Sequence, residues 1–252
     1  MAWDWQVFCK STDDGTVMAT CLGKAGDMTY LDWMLQAWGW TLSVAACAWV
    51  IALVSGFLIG TLRTLPNSPW IVRLANVWVE VFRNVPILVQ LFIWYFVIPK
   101  AFPFFQQVPG FLLVIFALGF FTSARIAEQV RAGIQALPRG QRYAGLAVGF
   151  TTAQTYRYVI LPMAFRIILP PLTSESMNLL KNSSVAFAVS IAELTMFAMQ
   201  AQEETSRGIE IYLAVTGLYA LSAFAVNRVF AFIERKVRIP GFIVAGGMGG
   251  GH

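Results

Sequence analysis

Residues 33–62 contain no Asp, Glu, Lys or Arg, and about 20 apolar residues are enough to cross the hydrocarbon core of a bilayer. A chain with such a run must either bury it in a large protein core or place it in lipid. Of the 252 residues, 58% are hydrophobic and only 12% are charged, against roughly 25% charged in soluble domains. Mean hydropathy is +0.64. Too little polar surface exists to clothe a soluble core, so the chain is read as an integral membrane protein. The uncharged runs are long and strand alternation is absent, so the spans are helices and not barrel strands. The expected fold is all-α, a polytopic bundle of about five membrane helices.

Arg63 closes the first span, and TLRTLPNSPW, with Pro66 and Pro69, makes a turn. The second span covers residues 71–98, but VEVFRNVPILVQ sets Glu80, Arg83, Asn84 and Pro86 in its middle. This predicts a broken helix whose freed backbone groups are met by protein or water, not by lipid. A third span covers about 109–128 and carries Arg125 and Glu128, three apart on one face near its end. The fourth hydrophobic region, 158–192, is cut by Pro162, Pro170, Pro171, Glu175, Lys181 and Asn182. Such residues at membrane depth face a bundle interior or a water-filled cavity. QAQEETSRGIE reads as an acidic loop before a fifth span at 211–232. The organisation expected is a polar flank at 1–30, a transmembrane domain at 31–240 and a flexible Gly-rich tail at 241–252.

Charge fixes the expected orientation. A net charge of +5 would suit nucleic acid if it formed one patch, but the basic residues lie between hydrophobic spans. Arg63, Arg73, Arg131, Arg139, Arg142, Arg157, Arg235, Lys236 and Arg238 fall on one side. Only Lys10, Lys24, Lys100 and Arg207 fall on the other. The richer side is cytoplasmic, which sets the amino end outside and the carboxyl end inside. Residues 1–30 lack a basic start followed by an apolar core of about 7–15 residues, so they do not read as a cleavable signal peptide. Cys9 and Cys21 lie in this flank, where pairing requires an extracytoplasmic location and nothing in the sequence fixes their geometry.

Residues 131–162 read as a water-exposed segment with Arg131, Arg139, Arg142 and Arg157 and no acid. Pro138 and Gly140 form a break. After it, Tyr143, Ala144, Leu146, Ala147 and Phe150 make one apolar stripe at helical spacing. Gly145 and Gly149 each weaken a solitary helix by about 1 kcal/mol relative to alanine. A docking surface accounts for that cost; a cytoplasmic loop containing a short helix is the alternative.

The order Leu137-Pro138-Arg139-Gly140-Gln141, Tyr143-Ala144-Gly145, Gly149 and then Ile160-Leu161-Pro162 resembles the cytoplasmic coupling loop of permease subunits in bacterial ABC importers. That loop usually begins Glu-Ala-Ala, so Tyr143 and Gly145 depart from it. VFRNVPILVQ at 81–90 and NLLKNSS at 178–184 resemble landmarks of the polar amino acid branch of this family. TSARIAEQVRAGIQALPRGQ and ERKVRIPG look most like the permeases of glutamate/aspartate importers. The resemblance implies a type I (MetI-like) importer permease fold in the bacterial inner membrane. It also implies a sister permease or second copy, two cytoplasmic ATP-binding subunits and a periplasmic solute-binding protein. A coupling loop at about 134–157 would seat its helix in an ATPase groove through Arg139, Gly140, Gln141, Tyr143, Ala144, Gly145 and Gly149, closing at Leu161 and Pro162.

For substrate, Arg125 is the first candidate, because a guanidinium at membrane depth is costly and binds a carboxylate through two parallel hydrogen bonds. The alternative is an Arg125–Glu128 pair that orders the helix end. Asn182, Ser183 and Ser184 offer hydrogen bonds to a zwitterion, or else satisfy kinked backbone. Arg83 and Asn84 read as pinning the second helix against Glu80. Trp38, Trp40 and Trp94 read as interface or packing residues. The sequence lacks the Gly-x-x-x-x-Gly-Lys-[Ser/Thr] loop, its one histidine is His252 in the tail, and no Cys/His cluster has metal-ligand spacing. The chain is therefore expected to be neither an enzyme nor an ATPase and to hold no cofactor or metal, with ATP bound by a partner. A secondary transporter, or an ABC permease for another small polar solute, is the alternative reading; inverted sequence halves, which the former would favour, are not evident.

Overall fold

The computed structural model describes residues 3–23, 27–66 and 68–237; the Gly-rich tail at 241–252 lies outside them. Thr29 opens the first helix, α1 (Tyr30–Leu62), through a capping box. Its hydroxyl accepts the Asp32 N–H at 3.2 Å, and Asp32 accepts the Thr29 N–H at 3.1 Å. α2 (Pro69–Asn84) starts on a proline, whose missing donor is harmless in a first turn.

Pro86 then breaks the chain as expected. α2 is followed by α3 (Ile87–Phe92), a π-helical turn at Ile93–Val97 and α4 (Ile98–Ala101), and the two halves meet at 105°. Pro86 leaves the Phe82 carbonyl without its helical donor. The Gln90 side chain donates to both Phe82 O and Val85 O at 2.8 Å. The backbone gap is thus met by protein.

α5 (Gly110–Gln135) continues seven residues beyond the end expected for the third span. α6 (Arg139–Ala147) and α7 (Thr152–Thr155) lead through a π turn at Tyr156–Ile160 into α8 (Leu161–Asn182). Pro162 sits in the first turn of α8, and Pro170 and Pro171 lie inside a helix that continues through them. A 3₁₀ segment, Ser183–Val189, ends at Ser190 in the left-handed region, and the chain bends by 53° into α9 (Leu194–Thr205). Glu193 caps α9, accepting the N–H groups of Thr195 and Met196 and the Tyr219 hydroxyl. The acidic loop read at QAQEETSRGIE is mostly helix: only Ser206 and Arg207 separate α9 from α10 (Gly208–Val237). Among the described residues, α1, α5 and α10 are each long and apolar enough to cross a membrane, and with each bent pair counted as one crossing the spans number up to five.

The polar flank is folded. A 3₁₀ turn at Trp5–Cys9 buries Val7 and Phe8 against α1, α9 and α10. Cys9 and Cys21 are joined in a disulfide. The Asp4 N–H donates to Glu210 at 2.9 Å, and Arg207 reaches the Asp4 carboxylate at 3.5 Å.

α1 and α5 share the largest interface in the bundle. Val44, Ala48, Ala52, Gly56 and Gly60 recur every fourth residue on the buried face of α1. A Cβ on Gly56 would lie 2.7 Å from the Cβ of Ile126, and one on Gly60 would lie 2.6 Å from that of Val130. Close backbone approach of this kind drives helix association in lipid, where tails are as apolar as leucine. Gly56→Leu should therefore force α1 from α5 and destabilise the bundle by about 1–3 kcal/mol or more. Thermal unfolding of the purified chain in detergent should show a lower midpoint than for Gly39→Leu, because Gly39 has open space around it.

Candidate functional site

α6 follows α5 after only residues 136–138. Pro138 (φ −56°, ψ 133°) stops the incoming helix and sets up the new one. Its C-terminus is a Schellman motif: the Phe150 N–H donates to Gly145 O and the Gly149 N–H to Leu146 O. Gly149 supplies the required left-handed conformation at φ +86°. Thr151 then caps α7, with Gln154 completing a capping box. At nine residues, α6 is too short to be stable alone.

The predicted apolar stripe forms and points outward. Tyr143 is 65% exposed, and Ala144, Leu146, Ala147 and Phe150 are exposed with it. Each of the two glycines has a role within its own chain. Gly145 is buried by its own chain, since a Cβ there would lie 2.7 Å from Thr155 Cγ2. Gly149 is the helix cap and has open space around it. Arg139 and Gly140 are exposed and Gln141 is half-buried, whereas Leu161 and Pro162 belong to the first turn of α8, with Leu161 against the core.

Glu128 is the charge hub of the bundle. It accepts from Arg63 of the α1 C-cap at 3.0 Å, Arg83 of α2 at 3.3 Å and Arg131 one turn along α5 at 3.0 Å. The proposed Arg125–Glu128 and Arg83–Glu80 pairs are thereby replaced, because three guanidinium groups converge on one carboxylate. Arg125 instead lies over the Phe121 ring at 5.2 Å and faces Glu175 of α8 at 3.9 Å. Gln129, one turn after Arg125, donates to Glu175 at 3.2 Å. Sequence reasoning missed Gln129 and Glu175 as partners, although Arg125 and Gln129 stand at i, i+4 on one face.

Ser183 is fully buried, and its hydroxyl donates to Leu180 O; that of Ser184 donates to Lys181 O, each at 2.7 Å. Both hydroxyls serve the loosening end of α8, as the backbone-satisfying alternative requires. Asn182 is half-buried and makes no side-chain hydrogen bond among the described residues. Trp38 donates to Ser222 at 2.8 Å, Trp40 meets Phe111 edge-on, and Trp94 packs among Phe105, Phe116 and Phe120. These indoles are packing residues.

Residues 52–239 match the family described as binding-protein-dependent transport system inner membrane component. The chain belongs to this family. Among its relatives, the glutamate/aspartate import permease protein GltJ of Escherichia coli (strain K12) is 40% identical over 95% of this chain and 96% of its own. The glutamine transport system permease protein GlnP of the same strain is 34% identical over 79% of this chain and 90% of its own. An amino acid ABC transporter whose crystal structure was solved with histidines superposes with a TM-score of 0.71 at 32% identity, covering 82% of this chain and 95% of that chain. The inward-facing MetNI methionine transporter superposes with the same TM-score at 20% identity, over 83% of this chain and 98% of its own, which shows the shared fold. The all-α permease fold read from the sequence is that of this family, and the chain is a multi-pass membrane component of a transport system.

Removing the hub carboxylate should cost far more than removing one of its partners. Glu128→Gln leaves Arg63, whose side chain is only 9% exposed, without its counter-charge. Stranding a buried ion costs about 3–5 kcal/mol, less here because Glu128 keeps some solvent contact. Arg83 is 55% exposed, so Arg83→Gln should cost at most about 1 kcal/mol. Thermal unfolding of both variants in detergent checks the ranking; equal midpoints would remove Glu128 from its central place.

Proposed function

We propose that this chain is the permease subunit of an ATP-driven importer of polar amino acids, with glutamate and aspartate as substrates. The observation that carries the reading is α6: a short helix between α5 and α8 in chain order, packed on α7 and the π turn at Tyr156–Ile160, with its apolar face turned outward and uncovered among the described residues. Such a face fits a groove in a cytoplasmic ATP-binding subunit. ATP-driven closure of two such subunits would move α6, and α6 would rock the bundle through α5 and the π turn ahead of α8. The permease makes and breaks no covalent bond in this scheme, and ATP stays with the partner.

The same reading places the amino-terminal flank outside and the carboxyl end in the cytoplasm of a bacterial inner membrane. The Cys9–Cys21 disulfide in the flank supports it, since disulfides persist in oxidising compartments. A periplasmic solute-binding protein would deliver substrate to that face, and a sister permease or second copy would complete the pore. The Escherichia coli relative named for glutamate/aspartate import, 40% identical along nearly the whole chain, supports the substrate class.

Arg125 is the residue assigned to the acidic side chain. Its contact with Glu175 is long, at 3.9 Å, and its side chain is 43% exposed, so a substrate carboxylate can take the place of Glu175 with two parallel hydrogen bonds. Asn182, whose amide makes no hydrogen bond among the described residues, is the second candidate contact; Ser183 and Ser184 contribute by fixing the end of α8.

Two experiments test the separate halves. Arg125→Ala should abolish uptake of radiolabelled glutamate and aspartate in reconstituted vesicles while the subunits still co-purify, and normal uptake would remove it from the substrate path. Leu146→Glu places a charge on the outward face of α6 without touching the bundle, and should lose the ATP-binding subunit on purification. Retention of that subunit with full ATP-dependent uptake would refute the docking assignment.

A further inference from the structure

A cavity of about 530 Å³ opens at the root of α6, between the end of α1, the start of α2 and the α5–α6 junction. Arg63, Arg139 and Arg142 line it, with no carboxylate among the lining residues. Arg63 spends Nε on Asn76 at 2.7 Å and Nη2 on Glu128, while its Nη1 is buried with no partner among the described residues. Neither Arg139 nor Arg142 has an acidic partner or a side-chain hydrogen bond among the described residues. The amides of Gln135 and Gln141 add neutral donors to the same wall.

Most of the remaining lining is apolar, including Leu65, Val72 and Ile160, alongside Thr64 and Tyr156, whose hydroxyl donates to Thr64 O. This combination sits where the end of α1, the start of α2 and the end of α5 meet at one end of the bundle. Guanidinium groups hold phosphate oxygens through paired N–H donors, and basic pockets between membrane helices take anionic headgroups. A soluble anion alone would leave the apolar wall without a partner. A phosphate carrying acyl chains uses both surfaces.

We propose that this cavity is a binding site for the phosphate of an anionic phospholipid, a free phosphate being the other source of the same chemistry. Bound there, the phosphate offsets the unpaired charge of Arg139 and Arg142 and ties the first turn of α6 to the ends of α1 and α5. The angle at which α6 leaves the bundle then depends on an anion that the bilayer supplies.

The test is native mass spectrometry of the full chain, purified with its partner subunits, after a delipidating detergent wash. Wild type is compared with an Arg139→Gln/Arg142→Gln double variant and with Arg228→Gln, which removes a charge from α10 outside the cavity. Wild type and Arg228→Gln should retain phosphatidylglycerol or cardiolipin, and the double variant should lose it by about fivefold for each charge removed. In a second arm, inorganic phosphate is titrated into the washed protein. Phosphate adducts that vanish in the double variant, with no lipid adduct in wild type, keep the site and assign it to free phosphate. Equal lipid retention in wild type and the double variant, without a phosphate adduct, overturns the proposal. Loss of the ATP-binding subunit from the double variant with unchanged lipid does the same, because the two arginines then serve a protein partner.

Discussion

Backbone contact between α1 and α5 is what the rest of the bundle is built on. Lipid gives helices no hydrophobic reason to associate, so their attraction comes from how closely they approach. Gly56 and Gly60 let α1 lie against Ile126 and Val130 of α5, and Gly119 lets α5 lie against Ile51 of α1. α5 is buried along most of its length by this contact and by α2 and α8. It therefore serves as a rigid post. Glu128 stands on that post and gathers the ends of α1 and α2 through Arg63 and Arg83, and residues 136–138 attach α6 to its end.

At two breaks in the other helices the freed backbone groups are met by protein, as a bilayer requires. At Pro86 the freed carbonyls are taken by the Gln90 amide. At the start of α9 the free N–H groups are taken by Glu193 and by the Thr41 hydroxyl of α1. Polar side chains within the spans thus divide into two kinds. Gln90, Glu193, Ser183 and Ser184 satisfy backbone. Arg125, Gln129 and Glu175 form a group between α5 and α8, with Gln129 donating to Glu175 at 3.2 Å and Arg125 facing it at 3.9 Å.

The sequence carried the spans, the break at Pro86 and the outward stripe of α6, because each depends on neighbours within a few residues. It did not carry the partners of its charges. Arg125 and Glu128 are three apart on one helix, a spacing that suggests a pair, yet Arg63 and Arg83 approach Glu128 from elements 65 and 45 positions away. Periodicity holds no information about such contacts. The role of Gly149 was legible in principle, since a glycine just after a helix pattern signals a C-cap. The length of α9 was hidden because QAQEET is polar, and it became helix by burying Leu194, Phe197, Ala198 and Ala201 under the folded flank.

The central claim is that α6 transmits movement from a water-soluble engine to the α5 post. A photoreactive amino acid at Tyr143, on the outward face of α6, tests it in the assembled transporter, with a second at Leu58, exposed on α1, as the control. The label on α6 should cross-link to the ATP-binding subunit while the label at Leu58 does not. A Tyr143 label that captures only lipid or solvent in the intact assembly would contradict the account.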